Sequence, residues 1–321
     1  MRQAGRSDPD YMAYRENAGE PLYDLFRDPR HAIPISLLPK RIGVDAIIMF
    51  QDILTPLTPM GGDFLFVPGP VLETPIRSAE AIGELRPIDP ARDLPFVGET
   101  IGGLLDEMNN ELPLLGFAGA PFTLAAFLIE GTSPPDGMPA TIELARNEPE
   151  AFSSLMDKLT DMTIAYLNYQ FDMGVHAVQL FESIGDQIPE PLYRAYAQPS
   201  HEKIFRALNP EKPAILFVRE SPYPELMMQS GAAVISLGSG VSLANLRKSA
   251  PEHLAFQGNV DNRILADQDG DAVEKAVLAC LNETGGKSHI LNLGHGILPR
   301  TPFENVRRFV EVCHRFNPDG G

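Results

Sequence analysis

Short apolar runs alternate with longer amphipathic segments along this chain, and this alternation restricts its fold more than any other feature. The apolar runs have the length and the β-branched content of buried strands. The segments between them have helical spacing, and several begin with a proline in the first turn. Strands are predicted at residues 44–50, 112–118, 175–181, 213–218, 233–237, 254–258 and 288–293. Helices are predicted at residues 149–173, 189–208, 223–229, 242–249, 271–283 and 302–315.

The repeated strand–helix order predicts an α/β fold with a parallel sheet. Eight strands would close a single (β/α)8 TIM-type barrel. Residues 1–3 supply only the tail of an eighth strand, so we expect a truncated first strand. An open doubly wound sheet is the alternative, but neither GxGxxG nor GxxxxGK[ST] occurs in the sequence. Since no repeat or linker interrupts the pattern, residues 1–321 are predicted to form one domain.

The charge balance and the cysteines limit the partners and the compartment. The formal net charge is −17, from 26 basic and 43 acidic residues, which argues against nucleic acid and anionic membranes as partners. Cys280 and Cys313 show no paired spacing, so a reducing, cytoplasmic location is expected. Residues 112–129 are uncharged, but glycines and Pro121 interrupt them, and a strand, a turn and a helix are predicted there.

Polar residues follow the predicted strands, where a barrel enzyme has its active site. They include Asp52, Ser183, Arg219, Ser239, Asp261 and His295. Loops are polar in any α/β protein, so this pattern alone does not identify a site. The seven histidines show no metal-binding spacing such as HExxH, and no GxSxG motif occurs.

Each candidate residue also has an ordinary structural interpretation. Asp52 follows an apolar strand and is also typical of a residue that caps a turn. Arg2 and Arg6 would ordinarily be solvated charges, and Phe117 is most simply a core residue. His295 lies between two glycines, which leave its imidazole uncovered and let the backbone approach a ligand.

Two segments resemble the signatures of a known enzyme family. Residues 1–6, MRQAGR, and residues 116–124, GFAGAPFTL, are similar to the two signatures of uroporphyrinogen decarboxylases. The similarity continues in family order through residues 50–54, 179–183, 257–261 and 292–297. The resemblance therefore extends over essentially the whole chain.

The resemblance implies a cofactor-free carboxy-lyase on a single (β/α)8 barrel, cytoplasmic and usually a homodimer. It implies a small-molecule substrate and no nucleic acid or membrane partner. The family converts uroporphyrinogen III to coproporphyrinogen III in haem and porphyrin biosynthesis, and four acetate side chains become methyl groups. Loss of CO₂ from a pyrrole acetate needs an electron sink, which protonation of the pyrrole ring creates.

Residue by residue, the resemblance assigns Asp52, Arg2 and Arg6 to catalysis. Asp52 would accept hydrogen bonds from the pyrrole N–H groups and stabilise the protonated ring. The two arginines would hold substrate carboxylates, a task suited to the planar guanidinium. Substrate binding is assigned to the same three residues and to Gln3, Ala4, Gly5, Arg15, Phe117, Phe127, Ser183 and His295. No metal ligand is implied.

The sequence departs from the family at two important places. The family has a tyrosine beside the catalytic aspartate where this chain has Phe127, so we expect weaker positioning of Asp52. The family also has a segment before MRQAGR, so we expect either a start codon placed too late or a largely missing first strand. Two other functions stay open: a corrinoid-linked methyltransferase that holds zinc through His and Cys, and a non-catalytic tetrapyrrole-binding paralogue.

Overall fold

The computed structural model describes residues 5–66 and 69–317, and the strands within this part of the chain form two sheets. The strands are β1 (Ile47–Ile48), β2 (Phe64–Phe66), β3 (Pro70–Leu72), β4 (Leu114–Gly119), β5 (Ala177–Glu182), β6 (Ala214–Val218), β7 (Val234–Ser236), β8 (Ala255–Val260) and β9 (His289–Leu293). Seven of them form one parallel sheet in the order β1-β4-β5-β6-β7-β8-β9, and β2 and β3 form an antiparallel hairpin.

Helices separate the strands of the parallel sheet. The first half of the chain contains α1 (Pro9–Ala18), α2 (Leu22–Leu25), α3 (Pro29–Leu37), α4 (Ala79–Glu84), α5 (Pro90–Asp93), α6 (Pro95–Met108), α7 (Pro121–Glu130), α8 (Pro139–Asn147) and α9 (Pro149–Asp172). The second half contains α10 (Glu190–Leu192), α11 (Gln198–Ala207), α12 (Pro224–Met227), α13 (Leu243–Arg247), α14 (Asn262–Asp267), α15 (Gly270–Thr284) and α16 (Phe303–Arg315). Short 3₁₀ turns lie at Leu38–Ile42, Thr55–Met60 and Gly185–Gln187, and a π-helical turn at Tyr193–Ala197 joins α10 to α11.

The seven predicted strands are confirmed, and they all run parallel. The predicted strand at residues 44–50 is much shorter in the structure, because β1 pairs with β4 only at Ile47 and Ile48. The predicted eighth strand, at residues 1–3, lies outside the described residues. In the part of the chain that is described, no pairing joins β1 to β9.

The parallel sheet is strongly curled. The side-chain amide of Gln257 on β8 donates to Oε1 of Gln179 on β5 at 3.3 Å. These strands are three positions apart in the sheet, which is about 14 Å when strands are spaced as in a flat sheet. The contact therefore requires a concave inner face, on which Gln179 and Gln257 point toward each other.

The outer face of the sheet is covered by helices, and the main core lies between them. The long helix α9 buries Phe152, Leu159, Tyr166 and Phe171 in this layer. The uncharged run at residues 112–129 forms β4, a turn and α7, as predicted. A search of the described residues finds no helix that is both long and apolar enough to cross a membrane.

Candidate active site

A row of aromatic rings lines the inner face near the C-terminal ends of three neighbouring strands. Phe117 on β4 meets Phe181 on β5 edge to face, with ring centroids 5.6 Å apart. Phe181 in turn lies 5.5 Å from Phe217 on β6, its register partner. Phe181 and Phe217 are partly exposed although their strands lie inside the sheet, so this row borders open space. Such a wall can pack against the faces or edges of other aromatic rings.

A buried polar layer lies below the aromatic row. The amide of Gln257 donates to Oγ of Ser236 at 2.9 Å as well as to Gln179, and all three side chains are buried. Because the members bond to one another, their polar groups are satisfied without substrate. This layer therefore closes the lower end of the concave face and is not itself a site.

Asp52 lies just beyond β1, at the C-terminal edge of the sheet. Its Oδ1 accepts the backbone N–H of Leu54 at 2.8 Å, and its carbonyl accepts the N–H of Thr55 at 3.2 Å. The side chain is half-buried. The capping interpretation of Asp52 is therefore correct, and it is compatible with a second role, since a carboxylate has several lone-pair positions.

Arg15 is carried to the same edge by α1. Its guanidinium carbon lies 6.0 Å from the centre of the Tyr11 ring, and Tyr11 meets Phe50, two residues before Asp52, at 5.9 Å. The Nε of Arg15 is buried and has no hydrogen-bond partner among the described residues. Burying a hydrogen-bond donor of a charged group without a partner costs free energy. Arg15 therefore carries a buried donor without a partner in the described structure, on the helix that packs against Phe50 through Tyr11.

The other predicted residues of the first motif are only partly described. Arg2, Gln3 and Ala4 lie outside the described residues. Gly5 is buried and its carbonyl accepts the N–H of Asp8 at 2.9 Å, while Arg6 is exposed in the turn before α1. Gly5 and Arg6 are thus held at the beginning of α1, the helix that also carries Arg15.

Ser183 follows β5, beside a buried polar network. Its backbone N–H donates to Oγ1 of Thr123 at 2.9 Å, and the same hydroxyl donates to Oε1 of Glu182 at 2.5 Å. The other carboxylate oxygen of Glu182 lies 3.1 Å from Nε2 of His201. Glu182 and His201 are both fully buried, with side-chain exposures of 0% and 1%. The network ties β5 to α7 and α11 and fixes the backbone of Ser183.

Phe127 and His295 occupy different surroundings. Phe127 is buried in α7, where it packs edge to face against Phe64 of the β2–β3 hairpin at 6.3 Å. His295 is exposed in the loop after β9. A Cβ on the preceding Gly294 would lie 2.4 Å from the backbone nitrogen of Ser239, so this loop packs tightly on the loop after β7. His295 therefore belongs to the same edge of the sheet, beside strands at the opposite end of the order from Asp52.

Sequence reasoning missed Gln170 and Tyr166, one helical turn apart on α9. Oε1 of Gln170 accepts the N–H of Phe117 at 2.8 Å, and its Nε2 donates to the carbonyl of Phe117 at 2.9 Å. Burial, together with the nearby Tyr169 and Asp52, raises the pKa of the Tyr166 hydroxyl. No local pattern marks these residues, because their role depends on how α9 packs on the sheet.

The described residues contain no group of three or more His, Cys, Asp or Glu side chains that could hold a metal ion. Cys280 is buried on α15, where its thiol lies 3.5 Å from the carbonyl of Gly258. Burial raises the pKa of this thiol to about 11. A protonated, buried thiol is a poor metal ligand and a poor nucleophile.

Comparison with known proteins identifies relatives over the whole chain. The profile of the uroporphyrinogen decarboxylase family (URO-D) matches residues 1–316. The uroporphyrinogen decarboxylases of Geobacter metallireducens and Geotalea daltonii are each 40% identical to this chain over 322 residues, which is 99% of this chain and 93% of theirs. That of Parasynechococcus marenigrum is 38% identical over 96% of this chain and 89% of its own.

Solved structures share the fold at much lower identity. A methyltransferase from Methanosarcina mazei superposes with a TM-score of 0.80 at 18% identity, covering 94% of this chain and 89% of that one. A B12-independent methionine synthase from Shewanella sp. W3-18-1 superposes with a TM-score of 0.59 at 11% identity. At these identities the likeness concerns the fold alone. The sequence matches are far closer, and by them this chain belongs to the uroporphyrinogen decarboxylase family.

Proposed function

We propose that this protein is a uroporphyrinogen decarboxylase that converts uroporphyrinogen III to coproporphyrinogen III by removing CO₂ from four acetate side chains. The observation that carries the proposal is Asp52 at the C-terminal end of β1, in a chain 40% identical over 99% of its length to relatives of that name. The aromatic row beside it supports a ring-shaped substrate. The likeness to methyltransferase structures is one of fold and adds no second function.

Asp52 is the proposed centre of the reaction. Its carboxylate accepts the pyrrole N–H groups and stabilises the positive charge that forms when the ring is protonated. The protonated ring takes up the electrons that CO₂ leaves behind, so the reaction calls for no cofactor. Arg2 and Arg6 are the proposed catalytic arginines, which hold the acetate carboxylate and assist proton delivery. The unpartnered Nε of Arg15 supports a further carboxylate contact beside Asp52.

The remaining contacts surround the macrocycle. Phe117 supplies an apolar face, and Ser183 and His295 bind side chains of the substrate from two sides of the site. Phe127 stands where the family has a tyrosine, so it adds apolar contact and no hydrogen bond. The backbone amides of Gln3, Ala4 and Gly5 line the same pocket.

The proposal extends to the architecture and the state of the protein. The curled sheet supports a single (β/α)8 TIM-type barrel, in which a truncated first strand would lie between β1 and β9. Residues 1–321 form one domain of this kind. We propose a cytoplasmic homodimer that binds a small-molecule substrate.

Anaerobic incubation with uroporphyrinogen III tests this function. Chromatography of the oxidised products is expected to show coproporphyrin for the wild type and a decrease of at least about a hundredfold in rate for Asp52→Asn. Asp45→Asn is the matched control, because Asp45 precedes β1 at the opposite end of the sheet and pairs with His314 on the surface. Equal rates for Asp52→Asn and the wild type would remove Asp52 from the mechanism, and no coproporphyrin from the wild type would refute the function.

A further inference from the structure

Arg219 lies at the C-terminal end of β6, next to the candidate site. Its backbone N–H donates to the carbonyl of Glu182 at 3.0 Å, which brings it beside Ser183 across the β5–β6 pair. Phe181 and Phe217, two residues earlier on the two strands, are register partners on the inner face. Because alternate strand residues share a face, Arg219 and Ser183 continue that face beyond the aromatic row.

The guanidinium of Arg219 is held from one side. Its Nε donates to Oδ1 of Asp186 at 2.5 Å, in the turn after β5, and the two side chains are 23% and 31% exposed. Within the described residues, the guanidinium makes no other hydrogen bond. Its two terminal amino groups therefore stay available, and they have the fork geometry that matches a carboxylate.

Arg41 shows how a guanidinium with a purely structural role differs. Its terminal nitrogens bind two carboxylates, those of Asp8 and Asp10, and its guanidinium carbon lies 4.4 Å from the centre of the Phe303 ring. These partners occupy both terminal groups and a face of the guanidinium. Arg219 has the same kind of acidic neighbour, but no hydrogen bond within the described residues occupies its terminal groups.

The proposed substrate needs cations on more than one side. Its carboxylates surround the macrocycle, whereas Arg2 and Arg6 belong to the first motif of the sequence and Arg15 to the helix α1 that follows it. The net charge of −17 repels such an anion, so cations within a few ångströms must hold it. Arg219 is a cation on the β5–β6 side, next to Ser183.

We propose that Arg219 binds a side-chain carboxylate of the tetrapyrrole through its terminal amino groups, and that Asp186 is a positioning residue that holds Nε. This inference rests on the proposed function. The competing explanation is a clasp, in which the Arg219–Asp186 pair only joins the loops after β5 and β6. If Arg219 binds the substrate, loss of its guanidinium weakens substrate binding more than loss of the Asp186 carboxylate does. If the pair is only a clasp, loss of either side chain has the same effect.

Steady-state kinetics with uroporphyrinogen III separates the two roles. Arg219→Gln is expected to raise KM about tenfold or more with kcat within roughly twofold, as for loss of a charged hydrogen bond to bound substrate. Arg219→Lys keeps the charge without the fork and should give a smaller increase. Asp186→Asn keeps the cation and leaves an amide oxygen that can accept Nε, so it should raise KM much less than Arg219→Gln does. Arg194→Gln is the matched control, because Arg194 also bonds a carboxylate through Nε, at Glu190, on the outer helices.

Binding of uroporphyrin, the oxidised octacarboxylate that is not turned over, provides a second measurement by fluorescence. Arg219→Gln should weaken this binding about tenfold, and circular dichroism checks that each variant is folded. Equal increases in KM for Arg219→Gln and Asp186→Asn would establish the clasp and overturn the proposal, as would unchanged KM and unchanged uroporphyrin binding. If the wild type makes no coproporphyrin but its uroporphyrin binding depends on Arg219, the proposed function fails and the carboxylate contact stands. If Arg219→Gln does not fold, Arg219→Lys against Asp186→Asn decides the question.

Discussion

Replacing Gln170 by leucine removes the two hydrogen bonds that hold the backbone of Phe117 from the helix side of the sheet. Strand β1 is too short to hydrogen-bond to the backbone of Phe117. The last bond between β1 and β4 runs from the N–H of Met49 to the carbonyl of Leu115, at 3.2 Å. Phe117, two residues further on, uses the same edge of β4. The amide of Gln170 takes the place of a neighbouring strand. Gly116 leaves room for it, because a Cβ there would lie 2.1 Å from Oε1 of Gln170.

The magnitude follows from what the substitution leaves behind. Gln170 and Phe117 are buried, so leucine would leave one backbone N–H and one C=O of Phe117 without a partner and shielded from water. Each orphaned group costs about 1–3 kcal/mol. Leucine restores most of the lost volume, so little is added for a cavity. We therefore expect the free energy of unfolding to fall by about 2–6 kcal/mol.

Urea unfolding followed by far-ultraviolet circular dichroism measures this loss, since the chain has no tryptophan for fluorescence. The shift of the midpoint multiplied by the m-value gives the change in free energy. Asn168→Leu is the matched control on the same helix, because the Asn168 amide makes one solvent-accessible bond, to the carbonyl of Ala207 at 3.1 Å. That variant should lose less than about 1 kcal/mol. If Gln170→Leu loses no more than Asn168→Leu, the amide does not replace a strand and our account of Gly116 is wrong.

Two further predictions concern buried groups. At pH 8 a thiol reagent should modify Cys313 faster than Cys280. Burial raises the pKa of both thiols, that of Cys280 to about 11, but Cys313 is partly exposed to the reagent whereas Cys280 is buried. Equal labelling rates for the two thiols in the folded protein would contradict this. The raised pKa also means that the contribution of Cys280 to stability is complete below its unfolded pKa of about 8.5 and is lost as the pH rises toward 11. His201→Leu should lower the free energy of unfolding by about 1–3 kcal/mol in the same urea assay, since it removes the hydrogen-bond partner of Oε2 in the buried Glu182 side chain. A loss well below about 1 kcal/mol would show that Glu182 is satisfied without His201.

The parallel sheet could be predicted because most residues of its strands are buried. Such strands are nearly continuous apolar runs, and each of the seven was found in its correct place. The first third of the chain was much less predictable. Helices α1 to α6 are mostly short, and prolines such as Pro9, Pro29 and Pro95 divide them, so no long helical period develops. The β2–β3 hairpin has three residues per strand, which is too short for a pattern.

The residues of the candidate site were likewise only partly predictable from the sequence. Asp52, Ser183 and His295 could be proposed because they follow strands, and the family motifs then assigned them roles. Gln170 and Arg219 could not be assigned a role from the sequence, since their roles depend on which backbone edge or carboxylate lies opposite them in the fold. A sequence shows that an amide or a guanidinium is present, but pairing across the fold decides whether it is free to act.

That distinction also bears on how an acidic protein can bind a substrate with many carboxylates. At physiological ionic strength, screening limits the range of electrostatic interactions to about 8 Å. The net charge of −17 therefore acts weakly on a bound substrate compared with the groups that touch it. What counts is the number of guanidinium donors that remain unpaired near the inner face. Arg41 binds two aspartates, whereas Arg15 keeps a buried Nε without a partner among the described residues and the terminal amino groups of Arg219 make no hydrogen bond among them. Affinity for the substrate should therefore follow the pairing of individual arginines and not the sum of charges along the chain.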